Sequence, residues 1–227
     1  MTAVWGPLGW MTLHSVSSMY PETPTAAEQQ LMRSWLDMFR DTITCHYCKS
    51  HFTEMLDMYR SKIPTMLNSR QDFMAFAFRA HNTVNRRLNK PIYNSVAECM
   101  ERLRENTKIR TASEYRKAYL THIRKYWATL RDTSGLVAAR KIAEMVKIEN
   151  DYFASRDTNF NVEVQETPVV LPLGVLEKQE EITWMTRMRN RSQPQQIVTR
   201  TTEVQESPVV RAPRAGFQIT TRGIRLR

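Results

Sequence analysis

Residues 69–91 read SRQDFMAFAFRAHNTVNRRLNKP, and this stretch indicates most directly how the chain folds. Its apolar side chains recur at helical spacing, which predicts a helix from about residue 69 to residue 89 with one buried face. Pro91 ends the pattern, because the residue before a proline is disfavoured in the helical conformation. The polar end of this predicted helix places three side chains on one face, at positions i, i+4 and i+7: His81, Asn85 and Leu88.

Further helical segments flank this stretch and give an all-α pattern. Ser or Thr followed three residues later by Glu forms capping boxes at Thr25, Ser95 and Thr111. The 6 glycines are too few for a turn-rich barrel or sandwich. We therefore predict that residues 1–110 form a four-helix bundle with a short fifth helix, and that residues 111–155 form a helical appendage.

The tail, residues 156–227, differs from the rest of the chain in composition. EVQETPVV at 163–170 recurs as EVQESPVV at 203–210, and large apolar residues are scarce. Such a segment is predicted either to be disordered, with a duplicated linear motif, or to form short strands that dock on a partner. The net charge is +10, and the nine arginines and two glutamates of residues 182–227 account for most of it. Nucleic-acid binding is therefore an option for the tail only.

Several classes of protein are excluded by the sequence. No run approaches the roughly 18 apolar residues of a membrane-spanning helix, and the first residues lack the pattern of a signal peptide. The 3 cysteines are too few for a small secreted fold held by disulfides. We therefore expect neither a membrane segment nor a signal peptide.

Cys45-His46-Tyr47-Cys48 is the motif with chemistry of its own, and it lies at the predicted start of the third helix. The partial positive charge of a helix N-terminus stabilises a thiolate, so a redox-active dithiol is one interpretation. A thioredoxin-like site is not favoured, because no strand pattern precedes Cys45. Zinc bound by both cysteines, His46 and His51 is a second interpretation, although four ligands so close on one helix cannot easily surround a metal. The alternative to an enzyme is thus a zinc or nucleic-acid-binding module.

Two histidines lie in settings that suit a planar ligand with polar edges. Trp10 and His14 are one turn apart on the first helix, which pairs a flat aromatic ring with an imidazole. Trp10 taken alone is more typical of a core residue, and His81 taken alone is more typical of a solvated helix end. From the residues alone, only the cysteine pair is a firm candidate site.

Four blocks of sequence together resemble the Erv/ALR sulfhydryl oxidases. Their order and spacing match over about residues 4–105. The resemblance implies a four-helix bundle with a short fifth helix that binds FAD, oxidises substrate dithiols to disulfides and passes electrons to oxygen, giving hydrogen peroxide. The blocks are Trp5-Gly6-Pro7 with Trp10-Met11-Thr12-Leu13-His14, Tyr20-Pro21, Cys45-x-x-Cys48-x-x-His51-Phe52, and His81-Asn82-x-Val84-Asn85-x-x-Leu88-x-Lys90-Pro91.

The resemblance also implies roles for individual residues. Cys45 and Cys48 would be the catalytic cysteines, with Cys48 next to the flavin and Cys45 exchanging with the substrate thiol. Lys90 would lie near the FAD phosphates, and no metal ligand is implied. The implied FAD contacts are Trp10, His14, Tyr47, His51, His81, Asn82, Val84, Asn85, Leu88 and Lys90.

The chain departs from the family pattern at several points. Asn94 stands where many members have a cysteine, so Cys99 is expected to be a buried free thiol, and no tryptophan follows until Trp127. No second cysteine pair is present, so the first pair is expected to meet its protein substrate directly, for example a thioredoxin-like protein. The family further implies a homodimer. A minimal oxidase without targeting segments is most similar to the forms of large DNA viruses, which act in the host cytoplasm or the virion.

Overall fold

The structure is a computed structural model that describes residues 2–161, with side chains from Trp5 onwards. This part of the chain contains no strand, so the predicted all-α fold is confirmed. The predicted tail lies outside the described residues from position 162 onwards. The elements are α1 (Thr2–Ser18), α2 (Ala26–Thr42), α3 (His46–Lys62), α4 (Arg70–Arg87), α5 (Val96–Ile109), α6 (Ala112–Trp127), α7 (Thr133–Ile148) and a π-helical turn (Glu149–Phe153).

The helix starts follow the capping patterns, with one difference. α2 and α6 begin with the two complete capping boxes that the sequence predicts. At α5 the Ser95 hydroxyl accepts the Glu98 N–H at 3.1 Å, but the Glu98 carboxylate binds the backbone and side-chain N–H groups of Asn94 instead of completing the box. α5 also continues to Ile109 and is longer than the short helix expected.

The first four helices form the bundle. α1 packs against α4 and α2 packs against α3, while α5 lies on α4. The Tyr20 hydroxyl donates to the Leu67 carbonyl at 2.9 Å, which fixes the end of α1 on the loop before α4. No described helix is both long enough and apolar enough to cross a membrane. Large side chains with almost no exposed surface fill the core between these helices: Tyr20, Tyr59, Phe73, Phe76, Leu13, Met32, Leu36 and Leu56.

Helices α6 and α7 share this core. α6 packs along α1, α7 packs along α2, and the two helices also pack on each other. The Tyr119 ring of α6 lies 5.3 Å from the ring of Phe39 in α2. The division of the chain at residue 110 into separate domains stays a prediction, but the helices on both sides of that position enclose one apolar cluster.

The turn from α6 to α7 needs a glycine. The Asp132 carboxylate caps α7 by accepting the Gly135 N–H at 2.9 Å. A side chain at Gly135 would collide with the Leu130 carbonyl, so the two helices approach closely only because this position has no Cβ.

A buried ion pair joins α6 to the π-helical turn and to α1. Arg116 Nε donates to the two Glu149 carboxylate oxygens at 3.0 and 2.9 Å, and only 3% and 7% of these two side chains are exposed. Arg116 Nη1 also donates to Ser15 Oγ at 2.6 Å, and Ser15 Oγ lies 3.2 Å from Thr158 Oγ1. Residues of three segments distant in sequence thus meet at one polar site inside the protein.

The end of the described chain closes a second, smaller apolar cluster. Phe160 is buried there, and its carbonyl accepts a hydrogen bond from Arg104 Nη1 at 3.1 Å. Cys99 lies in this cluster as a free, fully buried thiol, as the sequence predicts. The other buried members are Met11, Met74, Val96, Met100 and Leu103.

Candidate active site

The two cysteines of the predicted redox pair lie where α3 begins. Cys45 is the N-cap of α3, and its sulfur accepts the backbone N–H of Cys48 at 3.3 Å. The two residues form a disulfide, with their Cα atoms 5.2 Å apart. Because each sulfur is bonded to the other, the pair is not arranged as zinc ligands. The predicted helix start near Cys45 is confirmed.

A cavity of about 770 Å³ lies beside the disulfide. Cys48 lines this cavity, whereas Cys45 is not among its lining residues. The volume is in the range of small-molecule and cofactor sites, which is roughly 300–1,000 Å³. The predicted site residues in its wall are Trp10, Cys48, His81, Val84, Asn85, Leu88 and Lys90.

The remaining predicted contacts lie outside the cavity wall. Tyr47 is 72% exposed, and His51 is half-buried one turn after Cys48 on α3. The Asn82 side chain pairs with the backbone of Tyr93, donating at 2.8 Å and accepting at 2.9 Å, which holds the segment after α4 against that helix. His14 is buried behind His81. Their roles toward a cofactor stay predictions.

Trp10 and His81 stack at the cavity, and the His14 ring packs at a tilt beside them. The rings of Trp10 and His81 lie 4.3 Å apart and are within 10° of parallel, and His14 Nε2 is 3.0 Å from His81 Nδ1. Burial and the charge of Lys90 lower the pKa of His81 to about 4. Burial and the neighbouring His81 hold the pKa of His14 well below its usual value. Both imidazoles are therefore neutral at pH 7, and His81 presents an uncharged ring to the cavity with His14 behind it.

Cys99 lies close to the same two histidines. Ligand atoms of His14, His81 and Cys99 are all within 4.8 Å of one another, so a soft metal ion would find three donors there. Burial and Glu98 raise the pKa of the Cys99 thiol to about 12, and the two histidines are already hydrogen-bonded to each other. That hydrogen bond accounts for His14 Nε2 and His81 Nδ1, whereas His14 Nδ1 is buried without a partner among the described residues.

Several lining residues were not predicted from the sequence. Trp5 belongs to the first block of the family resemblance, and Tyr93 lies between α4 and α5. Asn106 and Tyr115 come from the end of α5 and from α6. Tyr115 belongs to an apolar stripe that indicates a buried helix face but not its partner. Only the packing of α6 on α1 brings it to the cavity.

The residues present fit a large planar cofactor that carries phosphate. Aromatic rings line much of the cavity, and the Trp5 indole N–H is buried without a hydrogen-bond partner among the described residues, so an acceptor on a ligand would satisfy it. The cation of Lys90 would offset the charge of phosphate groups. The sulfur of Cys48 would face the same ligand. These features suit a flavin dinucleotide.

The comparison with known sequences gives the family. A profile of the Erv1 / Alr family matches residues 8–108. The FAD-linked sulfhydryl oxidase of African swine fever virus (isolate Tick/Malawi/Lil 20-1/1983) is 36% identical over 88 residues, which are 39% of this chain and 71% of that relative. The chain belongs to the Erv1/Alr family. The family match ends within α5, and this Erv1/Alr protein continues beyond it to residue 227.

Two other relatives come from a second virus and from a cellular organism. The putative FAD-linked sulfhydryl oxidase 347L of Invertebrate iridescent virus 6 is 32% identical over 92 residues, or 39% of this chain and 83% of that protein. The mitochondrial FAD-linked sulfhydryl oxidase ERV1 of Saccharomyces cerevisiae is 32% identical over 89 residues, or 39% of this chain and 45% of that protein. The resemblance inferred from the four sequence blocks is confirmed.

Proposed function

We propose that this Erv1/Alr protein makes disulfides in protein substrates through Cys45 and Cys48 and that the electrons pass through FAD to oxygen, giving hydrogen peroxide. As a member of this family the chain is an FAD-linked thiol oxidase; the route of the electrons is the proposal. One observation carries it: the disulfide has one sulfur in the wall of a cofactor-sized cavity and the other outside that wall. The zinc or nucleic-acid-binding alternative is not favoured.

The exchange with substrate would begin at Cys45. A substrate thiolate attacks the Cys45 sulfur, the disulfide to Cys48 breaks, and Cys48 leaves as a thiolate. A second substrate thiolate then attacks the substrate sulfur of the mixed disulfide, which releases the oxidised substrate and leaves Cys45 reduced. The start of α3 favours both thiolates, because helix N-termini carry partial positive charge.

The electrons of the reduced cysteine pair would leave it at the cavity. FAD supplies, when bound, the capacity to take two electrons from the dithiol and to transfer them to oxygen. Cys48 would be the cysteine in contact with it, while Trp10, His81, Asn85 and Lys90 would hold and orient it. The balance is two substrate thiols and one oxygen molecule giving one disulfide and one hydrogen peroxide.

The partners and location of the protein are part of the proposal. A dithiol protein, thioredoxin-like or otherwise, would be the substrate, because no second cysteine pair is present in the sequence to relay electrons. Similarity to viral relatives supports a viral enzyme that works in the host cytoplasm or in the virion. Nucleic acid would be a partner of the basic tail only.

The expected homodimer also stays a proposal. In the described part of the chain, α6 covers much of α1 and α7 covers much of α2. A dimer would therefore not use the parts of α1 and α2 that these helices cover. Light scattering coupled to size-exclusion chromatography gives the answer directly.

Purified full-length protein tests the proposed reaction. It should carry the visible absorption of a flavin, consume oxygen with dithiothreitol or a reduced dithiol protein, and produce one hydrogen peroxide per oxygen. Cys48→Ser should abolish turnover and change the visible spectrum of the bound flavin, because its sulfur lies in the cavity wall.

Cys99→Ser is the matched control, since that thiol is free and buried in the second apolar cluster, and its turnover should stay near that of the wild type. A folded protein that takes up no FAD on reconstitution would contradict the proposal. Equal loss of activity in both serine variants would contradict the assignment of Cys48.

A further inference from the structure

The backbone just before Cys45 determines where the reactive disulfide lies. α2 ends at Thr42 and α3 begins at His46, so Cys45 follows a very short connection. We call residues 41–45 the redox loop. Because Cys45 is its last residue and also the N-cap of α3, a shift of this loop moves the sulfur that would meet the substrate.

Helices α6 and α7 hold the redox loop. Trp127 Nε1 donates to the Thr42 carbonyl at 2.8 Å, and that carbonyl is one of the last-turn acceptors of α2 that a helix cannot satisfy itself. Lys141 forms an ion pair with the Asp41 carboxylate, and both side chains are partly buried. Thr42 Oγ1 also lies 3.8 Å from Met145 Sδ.

Residues of α3 and of the last turn of α2 also contact the redox loop. Lys49, four residues after Cys45 on α3, donates from Nζ to the Asp41 carbonyl at 3.0 Å. Arg40 Nε donates to the Asp41 carboxylate at 2.9 Å. Burial alone would raise the pKa of Asp41, but Arg40 and Lys141 hold it below its usual value, so the carboxylate stays charged and paired at neutral pH.

We propose that Trp127 and Lys141 are positioning residues that hold the redox loop, and through it the Cys45–Cys48 disulfide, in the geometry that reacts with substrate thiols. Both residues lie beyond position 108, outside the family match, so this task falls to helices that the matched region lacks. The inference rests on the proposed function for its meaning, because exchange requires that the attacked sulfur is accessible and aligned.

The experiment uses the full-length protein carrying its cofactor, without oxygen, so that the cysteine pair can reduce the flavin once but cannot turn over. The electrons delivered are then counted as reduced flavin plus alkylated cysteine pair. Trp127→Phe removes the N–H donor and keeps an apolar ring, and Lys141→Met removes the charge. The rate at which dithiothreitol reduces Cys45–Cys48 is followed by quenching and alkylation under anaerobic conditions. We expect each variant to slow this reduction by about 3- to 10-fold, the factor that corresponds to losing one hydrogen bond or paired charge.

Neighbouring residues provide the controls. Tyr126→Phe removes only a hydroxyl from the residue next to Trp127 on α6, and Lys147→Met removes an exposed charge from α7. The disulfide of both variants should be reduced at the wild-type rate. Lys141→Arg should restore most of the rate, because it keeps the positive charge. The melting temperature and the flavin content of Lys141→Met should stay close to those of the wild type, which a merely structural role would not give.

Two results would overturn the inference. One is reduction of Trp127→Phe and Lys141→Met at the wild-type rate; the other is a loss that follows only the unfolded fraction. Should Trp127→Phe fold poorly, the partly exposed Lys141→Met decides alone. A wild-type protein that consumes no oxygen would contradict the proposed function, while the reduction rates would still test the positioning residues.

Discussion

His81 and His14 are neutral because the fold buries them, and this burial lowers the stability of the protein at acidic pH. The pKa of His81 in the folded chain is about 4, against 6.5 for the unperturbed side chain, with burial as the main cause. Between these pH values the unfolded chain binds a proton that the folded chain does not. The free energy of unfolding must therefore decrease as the pH falls from about 7 toward 4.

His81→Phe should remove much of this pH dependence. The loss attributable to His81 is on the order of 3 kcal/mol over the whole interval, from the size of the pKa shift. Urea unfolding of the wild type and of His81→Phe at pH 7 and pH 5 measures it, with His46→Gln, an exposed histidine, as the control. Parallel pH profiles for wild type and His81→Phe would show that this histidine is not buried neutral.

At the residue scale, the sequence predicts the reactive residues better than it predicts the side chains that pack around them. The pair Cys45 and Cys48 near a helix start follows from the sequence pattern alone. The contact of Trp10 with His81 does not, because it joins two helices and no local pattern encodes it. Likewise, the resemblance implies that Tyr47 is a site residue, whereas most of its side chain is exposed to solvent in the structure.

At the element scale, the ion pair of Arg116 and Glu149 joins α6 to the π-helical turn. Arg116→Met should leave the Glu149 carboxylate buried without its cation, and breaking such a pair typically costs about 3–5 kcal/mol. Chemical denaturation measures the change.

Arg124→Met, on the exposed side of α6, should change stability by less than about 0.5 kcal/mol. The double variant Arg116→Met/Glu149→Met should recover part of the loss, since no charge is then left unpaired. A loss below about 1 kcal/mol in Arg116→Met would mean that Glu149 finds other partners.

The elements themselves were largely predictable, and their packing was not. Capping residues and proline positions place the helix starts because they act within a few residues of chain. The apolar stripe of α6 predicts a buried face, but a stripe carries no information on which helix covers it. Tyr115 and Trp127 therefore gained their positions, at the cavity and at the redox loop, only from the three-dimensional arrangement.

At the scale of the whole molecule, the family-matched part does not have a closed surface of its own. Tyr119, Ile123, Ile142 and Met145 belong to the same cluster as Leu13 and Phe39. A chain ending at residue 110 would expose that cluster along α1 and α2. A chain ending at residue 161 keeps it covered and retains Thr158 and Phe160 at their contacts.

These two truncations should therefore behave differently. The chain 1–161 should give a cooperative thermal transition close to that of the full-length protein, followed by circular dichroism. The chain 1–110 should aggregate or melt without a clear transition, because the apolar area that α6 and α7 bury would face water. Cooperative melting of 1–110 at the full-length temperature would show that the bundle is autonomous.

The position of Cys99 has a consequence for the fidelity of the chemistry. An enzyme that holds an exchangeable disulfide and one more thiol runs the risk of rearranging into a wrong, inactive pairing. With its pKa raised to about 12, the Cys99 thiol is ionised in only about one molecule in 10⁵ at pH 7, and Phe160 packs in the cluster around it. Since only a thiolate attacks a disulfide, the Cys99 sulfur does not react with the Cys45–Cys48 pair. The enzyme can thus go through repeated cycles of oxidation and reduction without trapping itself.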